Sequence, residues 1–198
     1  MKIRLCAFDM DGVILDSMPT LTQYAVETMR VIYKCPREFA ERRYKETTGL
    51  PFVSQLQEIF PKDERNSDAL RLYETIHAAI SPALPLSPMV PMVINTLREL
   101  EISTALITST HKSILFDQLH QVQSLGFDFM GGFQDGFTKV DLLNEAMTLM
   151  AIFPDECILF GDTEHDRKVA KAANTKFCFI RKPEDLAFYV GMSLTRNI

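Results

Sequence analysis

The feature that most limits what this chain can become is an alternation: short apolar runs, each ended by polar or acidic residues, separated by stretches with helical spacing. Ile3–Phe8 is the first such run. It has no helical period and stops at Asp9–Gly12, which reads as a buried strand. The same pattern later gives a helix near Met89–Leu100, a strand Ser103–Ile107, a helix from His111, a strand near Phe127–Met130 and a helix Val140–Met150. A strand Cys157–Phe160, a helix Thr163–Ala173, a strand Lys176–Ile180 and a short helix from Glu184 complete it. Strands that alternate with helices pair in parallel through right-handed crossovers, with helices on both faces. The expected fold class is α/β, a doubly wound, Rossmann-like parallel sheet.

One stretch breaks the alternation. From Pro19 to about Ile80 only helical periods occur, with Leu21, Tyr24, Ala25, Thr28 and Met29 on one face and Leu70, Tyr73, Ile76 and Ala79 on another. Pro82, Pro85, Pro88 and Pro91 then rule out a continuous helix or central strand and form a stiff connector, with Pro91 suited to a first helical turn. The expected organisation is an α/β core from residues 1–16 and 86–198, interrupted by an inserted α-helical unit over 17–85.

A net charge of -5 supplies no basic field for nucleic acid or anionic lipid, so any bound phosphate must be held by a few placed residues, and the partner should be small. Cys6, Cys35, Cys157 and Cys178 have no CxxC spacing, and three of them sit in strand-like runs, which points to free thiols. The apolar run after Lys2 is too short for a signal peptide or membrane span, so a reducing cytoplasm is the expected location.

Ligands of such sheets gather at the carboxyl ends of the strands. Asp9, Asp11, Thr108, Lys139, Asp162 and Asp166 all fall there. Carboxylates brought together repel by about 4 kcal/mol per pair at 4 Å and an effective dielectric near 20, so a cation or proton must compensate. Oxygen-only ligands favour Mg2+. These parts suit phosphate-ester cleavage: Asp9 as nucleophile, Asp11 as the acid that protonates the leaving alkoxide and then the base that activates water. Lys139 and the metal would offset phosphoryl charge, and Thr108 would orient the oxygens, with Ser109 or Thr110 as alternative binders.

Phe8–Ser17, reading FDMDGVILDS, resembles the first motif of the haloacid dehalogenase superfamily in its phosphatase form. Thr108 within LITST resembles the second motif, Lys139 the third, and GDTEHD over Gly161–Asp166 the acidic fourth. The residue after Lys139 is Val140, where the family usually has proline. The resemblance implies Asp9 and Asp11 as catalytic residues, Thr108, Ser109 and Lys139 as phosphate binders, and a metal site from Asp9, Asp11 (through its backbone carbonyl), Asp162 and Asp166, the last through water or from behind the ligands. It implies a phosphatase acting on a small phosphorylated metabolite through an aspartyl-phosphate, or a sugar phosphomutase using the same intermediate. A non-catalytic binding protein on this fold is the other class.

An insertion placed after the first motif resembles the helical-cap members, which include phosphoglycolate phosphatase-like enzymes and β-phosphoglucomutase. In those relatives a cap loop resembling Thr48–Pro51 helps select substrate, so Thr48 and Gly49 are specificity candidates here. The alternative is a plain turn with Gly49 as a helix C-cap. Arg42, Arg43 and Lys45 could meet a second anion on the substrate or form a solvated helix face. His111 and His165 read as solvated or capping residues that the chemistry does not need.

Overall fold

A computed structural model describes residues 2–134 and 136–195. Strands β1 (Leu5–Phe8), β2 (Ser103–His111), β3 (Phe129–Phe133), β4 (Cys157–Gly161) and β5 (Lys176–Phe179) form one parallel sheet ordered β3-β2-β1-β4-β5. Helices α1 (Met18–Tyr33), α2 (Arg37–Thr47), α3 (Phe52–Ile59) and α4 (Asn66–Ile80) lie between β1 and β2 in sequence. The remaining helices are α5 (Val90–Glu99), α6 (Lys112–Gln118), α7 (His120–Gln123), α8 (Lys139–Leu149), α9 (Glu164–Ala172) and α10 (Leu186–Thr195).

β1 is flanked on both edges, Leu5 lying beside Ser103 and Cys157 and Phe8 beside Leu106 and Phe160. A strand covered on both faces has no polar face to show, which is why Leu5–Phe8 reads as an unbroken apolar run. Cys6 and Phe8 point into one layer with Ile94, Leu97 and Leu115, while Leu5 and Ala7 point into the other with Leu143, Ala146 and Val169. The rings of Phe8 and Phe160 stack with centroids 5.1 Å apart. Full burial of each such side chain contributes about 1.5–3 kcal/mol.

The inserted helices bury a cluster of their own, including Ala25, Met29, Tyr44, Phe52, Leu56 and Tyr73. The chain leaves and re-enters the sheet layer side by side: Asp16 donates its N–H to the Pro85 carbonyl (2.9 Å) and Ser87 donates to Ile14 (3.0 Å). The proline-rich return is thus one partner of a short paired link, and Pro91 sits in the first turn of α5 as expected.

Two strands differ from expectation. β2 continues past Ile107 to His111, with an irregular register against β3. Its last residues are polar because they face the site, so the apolar run ends before the strand does; α6 correspondingly begins at Lys112. β3 covers Phe129–Phe133 and not Phe127–Met130. Gly131 and Gly132 carry no side chains to show a two-residue period, and Phe127 packs against Phe8 from outside the strand. The cysteines are free thiols, Cys6 and Cys157 buried. No helix among the described residues is long and apolar enough to cross a membrane.

Candidate active site

The order β3-β2-β1-β4-β5 places the topological switch between β1 and β4. Asp9 follows β1 there, and Asp162 follows β4. The polypeptide turns sharply after Asp9, with Gly12 at φ +82°, and a Cβ on Gly12 would stand 2.1 Å from Asp162 Oδ2. Only glycine permits the two loops to meet this closely.

Oxygens of Asp9, Asp162 and Asp166 lie within 4.8 Å of one another. Lys139 reaches into this group from the first residue of α8, its Nζ 2.7 Å from Asp9 Oδ1 and 2.6 Å from Asp166 Oδ1. Thr138 caps α8 in a capping box with Asp141, which fixes the helix start and hence the lysine. A second capping box starts α9, where Thr163 N–H and Oγ1 both donate to Asp166 Oδ2, at 3.0 and 2.6 Å. Asp166 therefore has one oxygen on Lys139 and the other on Thr163. Asp9 Oδ1 also accepts from the Met10 N–H at 2.7 Å.

Lys139 offsets one of three carboxylate charges in a buried setting, and the titration of the group reflects the deficit. Burial first, then Asp166, drives the Asp9 carboxyl well above the ordinary carboxylate range against the pull of Lys139. The same two causes push Asp162 up to about 7. Burial would raise Asp166 as well, but Lys139 and the Thr163 donors hold it below its usual value. For Lys139 burial opposes the charge, and Asp166 and Asp9 outweigh it, so the ammonium is held above its normal range. Asp162 Oδ1 is buried without a hydrogen-bond partner. A buried carboxylate oxygen left this way is costly unless something cationic meets it.

Asp11 faces the other way. Ser17 Oγ donates to its Oδ1 at 2.6 Å and Thr110 Oγ1 to its Oδ2 at 2.8 Å, so the carboxylate is fixed from both sides, and its charge acts on Tyr44, Tyr73 and His77 of the inserted helices. Its side chain is outside the Asp9–Asp162–Asp166 group. Thr108 is buried, and its Oγ1 accepts from the Thr110 N–H at 3.0 Å, which leaves the hydroxyl proton to donate. The Ser109 hydroxyl, expected to bind phosphate, donates here to the Gly49 carbonyl at 2.6 Å.

Thr48 and Gly49 follow α2 and line the same cavity as Asp9, Asp11, Thr108 and Lys139. Gly49 turns the chain after the helix at φ +97°, and a Cβ there would meet His165 Cβ and Thr163 Oγ1 at 2.7 Å. Arg42 lies over the Phe39 ring, Arg43 pairs with Glu46 at 2.6 Å, and none of Arg42, Arg43 and Lys45 lines the cavity. His111 caps α6 by accepting the Ser113 N–H, and His165 stands half-buried behind Gly49. Sequence reasoning missed Tyr44, Glu74 and His77 as wall residues and gave Tyr73 only a packing role. The available signal was the spacing of four in α4, whose buried face is Ala69, Tyr73 and His77 and not Leu70, Ile76 and Ala79.

Comparison with known proteins agrees with this architecture. A model of the family described as haloacid dehalogenase-like hydrolase matches residues 6–180. The chain is 30% identical over 186 residues to a phosphoglycolate phosphatase of Vibrio vulnificus (strain CMCP6), across 87% of this chain and 81% of the relative. A hydrolase from Pseudomonas syringae has the same fold with a TM-score of 0.77 at 16% identity, over 96% of this chain and 98% of that one. β-Phosphoglucomutase from Clostridium difficile gives 0.70 at 15% identity, over 98% and 97%. The chain thus belongs to the haloacid dehalogenase-like hydrolases, on the phosphatase side of that family.

Proposed function

We propose that this protein is a Mg2+-dependent phosphatase that hydrolyses a small phosphomonoester through an aspartyl-phosphate on Asp9. The observation that carries the reading is the division of labour between two aspartates two residues apart. Asp9 is buried against Lys139 among other carboxylates, and Asp11 is clamped by Ser17 and Thr110 toward the far side of the cavity.

Asp9 attacks phosphorus and Asp11 protonates the departing oxygen; Asp11 then takes a proton from the water that cleaves the acyl phosphate. Thr108 donates to a phosphoryl oxygen, and Lys139 holds Asp9 in place and offsets phosphoryl charge. Ser109 serves as a latch between the sheet layer and the inserted helices, which act as a lid hinged on the paired link near Asp16 and Pro85.

The donors fit a divalent cation. They are all oxygen, Asp162 Oδ1 has no other partner, and two negative charges remain after Lys139 is counted. Asp9 and Asp162 would hold the ion with the Asp11 backbone carbonyl, while Asp166, engaged by Lys139 and Thr163, positions the lysine from behind. When bound, the ion supplies positive charge against the phosphoryl oxygens. The Vibrio vulnificus relative is named for phosphoglycolate, which supports a small ester as the substrate class.

Phosphate release from a panel of small esters, with and without Mg2+ and with Asp9→Asn as the blank, tests this. Release by the wild type alone is expected, because an amide cannot form the acyl phosphate. Turnover by Asp9→Asn at the wild-type rate rejects the mechanism, and interconversion of hexose phosphates without release would make the enzyme a mutase.

A further inference from the structure

The lid side of the cavity raises a question the chemistry leaves open, namely which leaving group it accepts. The cavity is about 80 Å³, room for on the order of six waters. A phosphoryl group and a leaving group of a few heavy atoms fill it.

Among the described residues, Lys139 is the only lysine or arginine that lines this cavity, and it is committed to Asp9 and Asp166. The basic residues nearest on α2 are turned to Phe39, to Glu46 or to an outer groove shared with Glu41 and Glu58. The lid side instead offers Tyr44, Tyr73, His77 and Glu74 opposite Asp11. Burial, with further contributions from Asp11, keeps both phenols protonated. His77 is 4% exposed, and its Nε2 is buried without a hydrogen-bond partner. Burial depresses its protonation against the pull of Asp11, so it enters as a neutral ring. The His77 ring lines the cavity, and a neutral imidazole nitrogen without a partner is suited to a hydroxyl, which can donate to it or accept from it.

We infer that the lid side of this cavity is built for a short, uncharged, hydroxyl-bearing leaving group and against one carrying a second anion, with His77 Nε2 meeting the hydroxyl. A carboxylate on the leaving group would face Asp11 and Glu74 with no cation to receive it. The inference rests on the phosphatase reading and departs from the substrate for which the Vibrio vulnificus relative is named.

Matched esters test it on the full chain with Mg2+. 2-Hydroxyethyl phosphate and 2-phosphoglycolate differ only in a hydroxymethyl against a carboxylate, and so do glycerol 3-phosphate and 3-phosphoglycerate. The alcohol of each pair should have the higher kcat/KM, by roughly tenfold or more. Parity, or preference for the carboxylate, overturns the inference while leaving the phosphatase reading intact. No release from any of the four in Mg2+ overturns both. His77→Phe should raise KM for the alcohol esters roughly tenfold, with a smaller change in kcat, and narrow the ratio; His77→Gln, which keeps a donor and an acceptor, should restore part of it. An unchanged ratio in folded His77→Phe removes His77 from the contact and overturns its assignment.

Discussion

On the sheet side of the cavity Asp9, Asp162, Asp166 and Lys139 crowd charge into a buried group, whereas on the lid side Tyr44, Tyr73 and His77 present neutral polar groups from helix faces, with Glu74 beside them. The sheet side is rigid for a reason visible in its supports. Strand ends, two capping boxes and a lysine shared by two carboxylates fix Asp9, Lys139 and Asp166. The lid side rests on a separate apolar cluster and meets the sheet at a few points, among them the Ser109–Gly49 hydrogen bond. Changes on the sheet side should therefore act mainly on kcat, and changes on the lid side should act on KM and differ between esters.

Asp11→Asn should show that contrast most strongly, with an expected loss of roughly 10²- to 10⁴-fold in kcat. Ser17 and Thr110 can still place the amide, so the fold should survive while the proton transfer is lost. Steady-state kinetics on an alkyl ester and on p-nitrophenyl phosphate check it. The alkyl ester, whose leaving oxygen needs the proton more, should lose more; equal KM-only effects on both would move Asp11 to the lid side of the comparison.

Lys139→Ala should lower kcat by about 10²- to 10³-fold. It also strips the partner from two buried carboxylates, a loss on the order of 3–5 kcal/mol in unfolding free energy. Denaturant unfolding with and without Mg2+ separates these effects: the ion should recover part of the stability, because it supplies charge to the same oxygens. A variant as stable as wild type without Mg2+ would mean that the buried group does not need the lysine.

Proton and metal compete for the sheet side. Asp162 in the folded chain titrates at about 7 against a reference of 3.8, so its proton favours the metal-free fold. That contribution is full below about pH 4 and is lost as pH rises through 7, and the raised Asp9 acts in the same direction. Mg2+ replaces the proton, so its stabilisation should grow over the same window, with apparent affinity falling up to roughly tenfold per pH unit below 7. Thermal unfolding at pH 6 and pH 8 checks this; a Mg2+-induced shift in midpoint that is no larger at pH 8 would contradict it.

The two sides were unequally legible in the sequence. Asp9 and Asp162 stand out because each charge follows an apolar run, Lys139 because it stands at the start of a helical period, and the topology that gathers them follows from the alternation. Thr110 is different: it clamps Asp11 from 99 positions away, and nothing local separates it from any other threonine in LITST. His77 was hidden for a related reason. A search for apolar residues on α4 selects Leu70 and Ile76, which are only half-buried, and passes over a buried histidine four residues after Tyr73. Polar residues that serve a cavity violate the periodicity that reveals a core, so the lid side appears only when the helices are in place.

The mildest change tests the seam between the two sides. Gly49→Ala sets an L side chain at φ +97°, which costs about 1–2 kcal/mol, and its Cβ would press on His165 and on the Thr163 hydroxyl from 2.7 Å. The α2–α3 turn can relieve this by moving off α9 and stretching the Ser109 hydrogen bond, because the apolar cluster of the lid does not depend on that contact. A penalty near 1.4 kcal/mol on the closed arrangement is about tenfold in its population. KM should rise by about that factor with kcat changed less, and the unfolding midpoint should fall by only a few degrees. If kcat collapses instead, the pressure on Thr163 has reached Asp166 and Lys139, and the two sides are mechanically one.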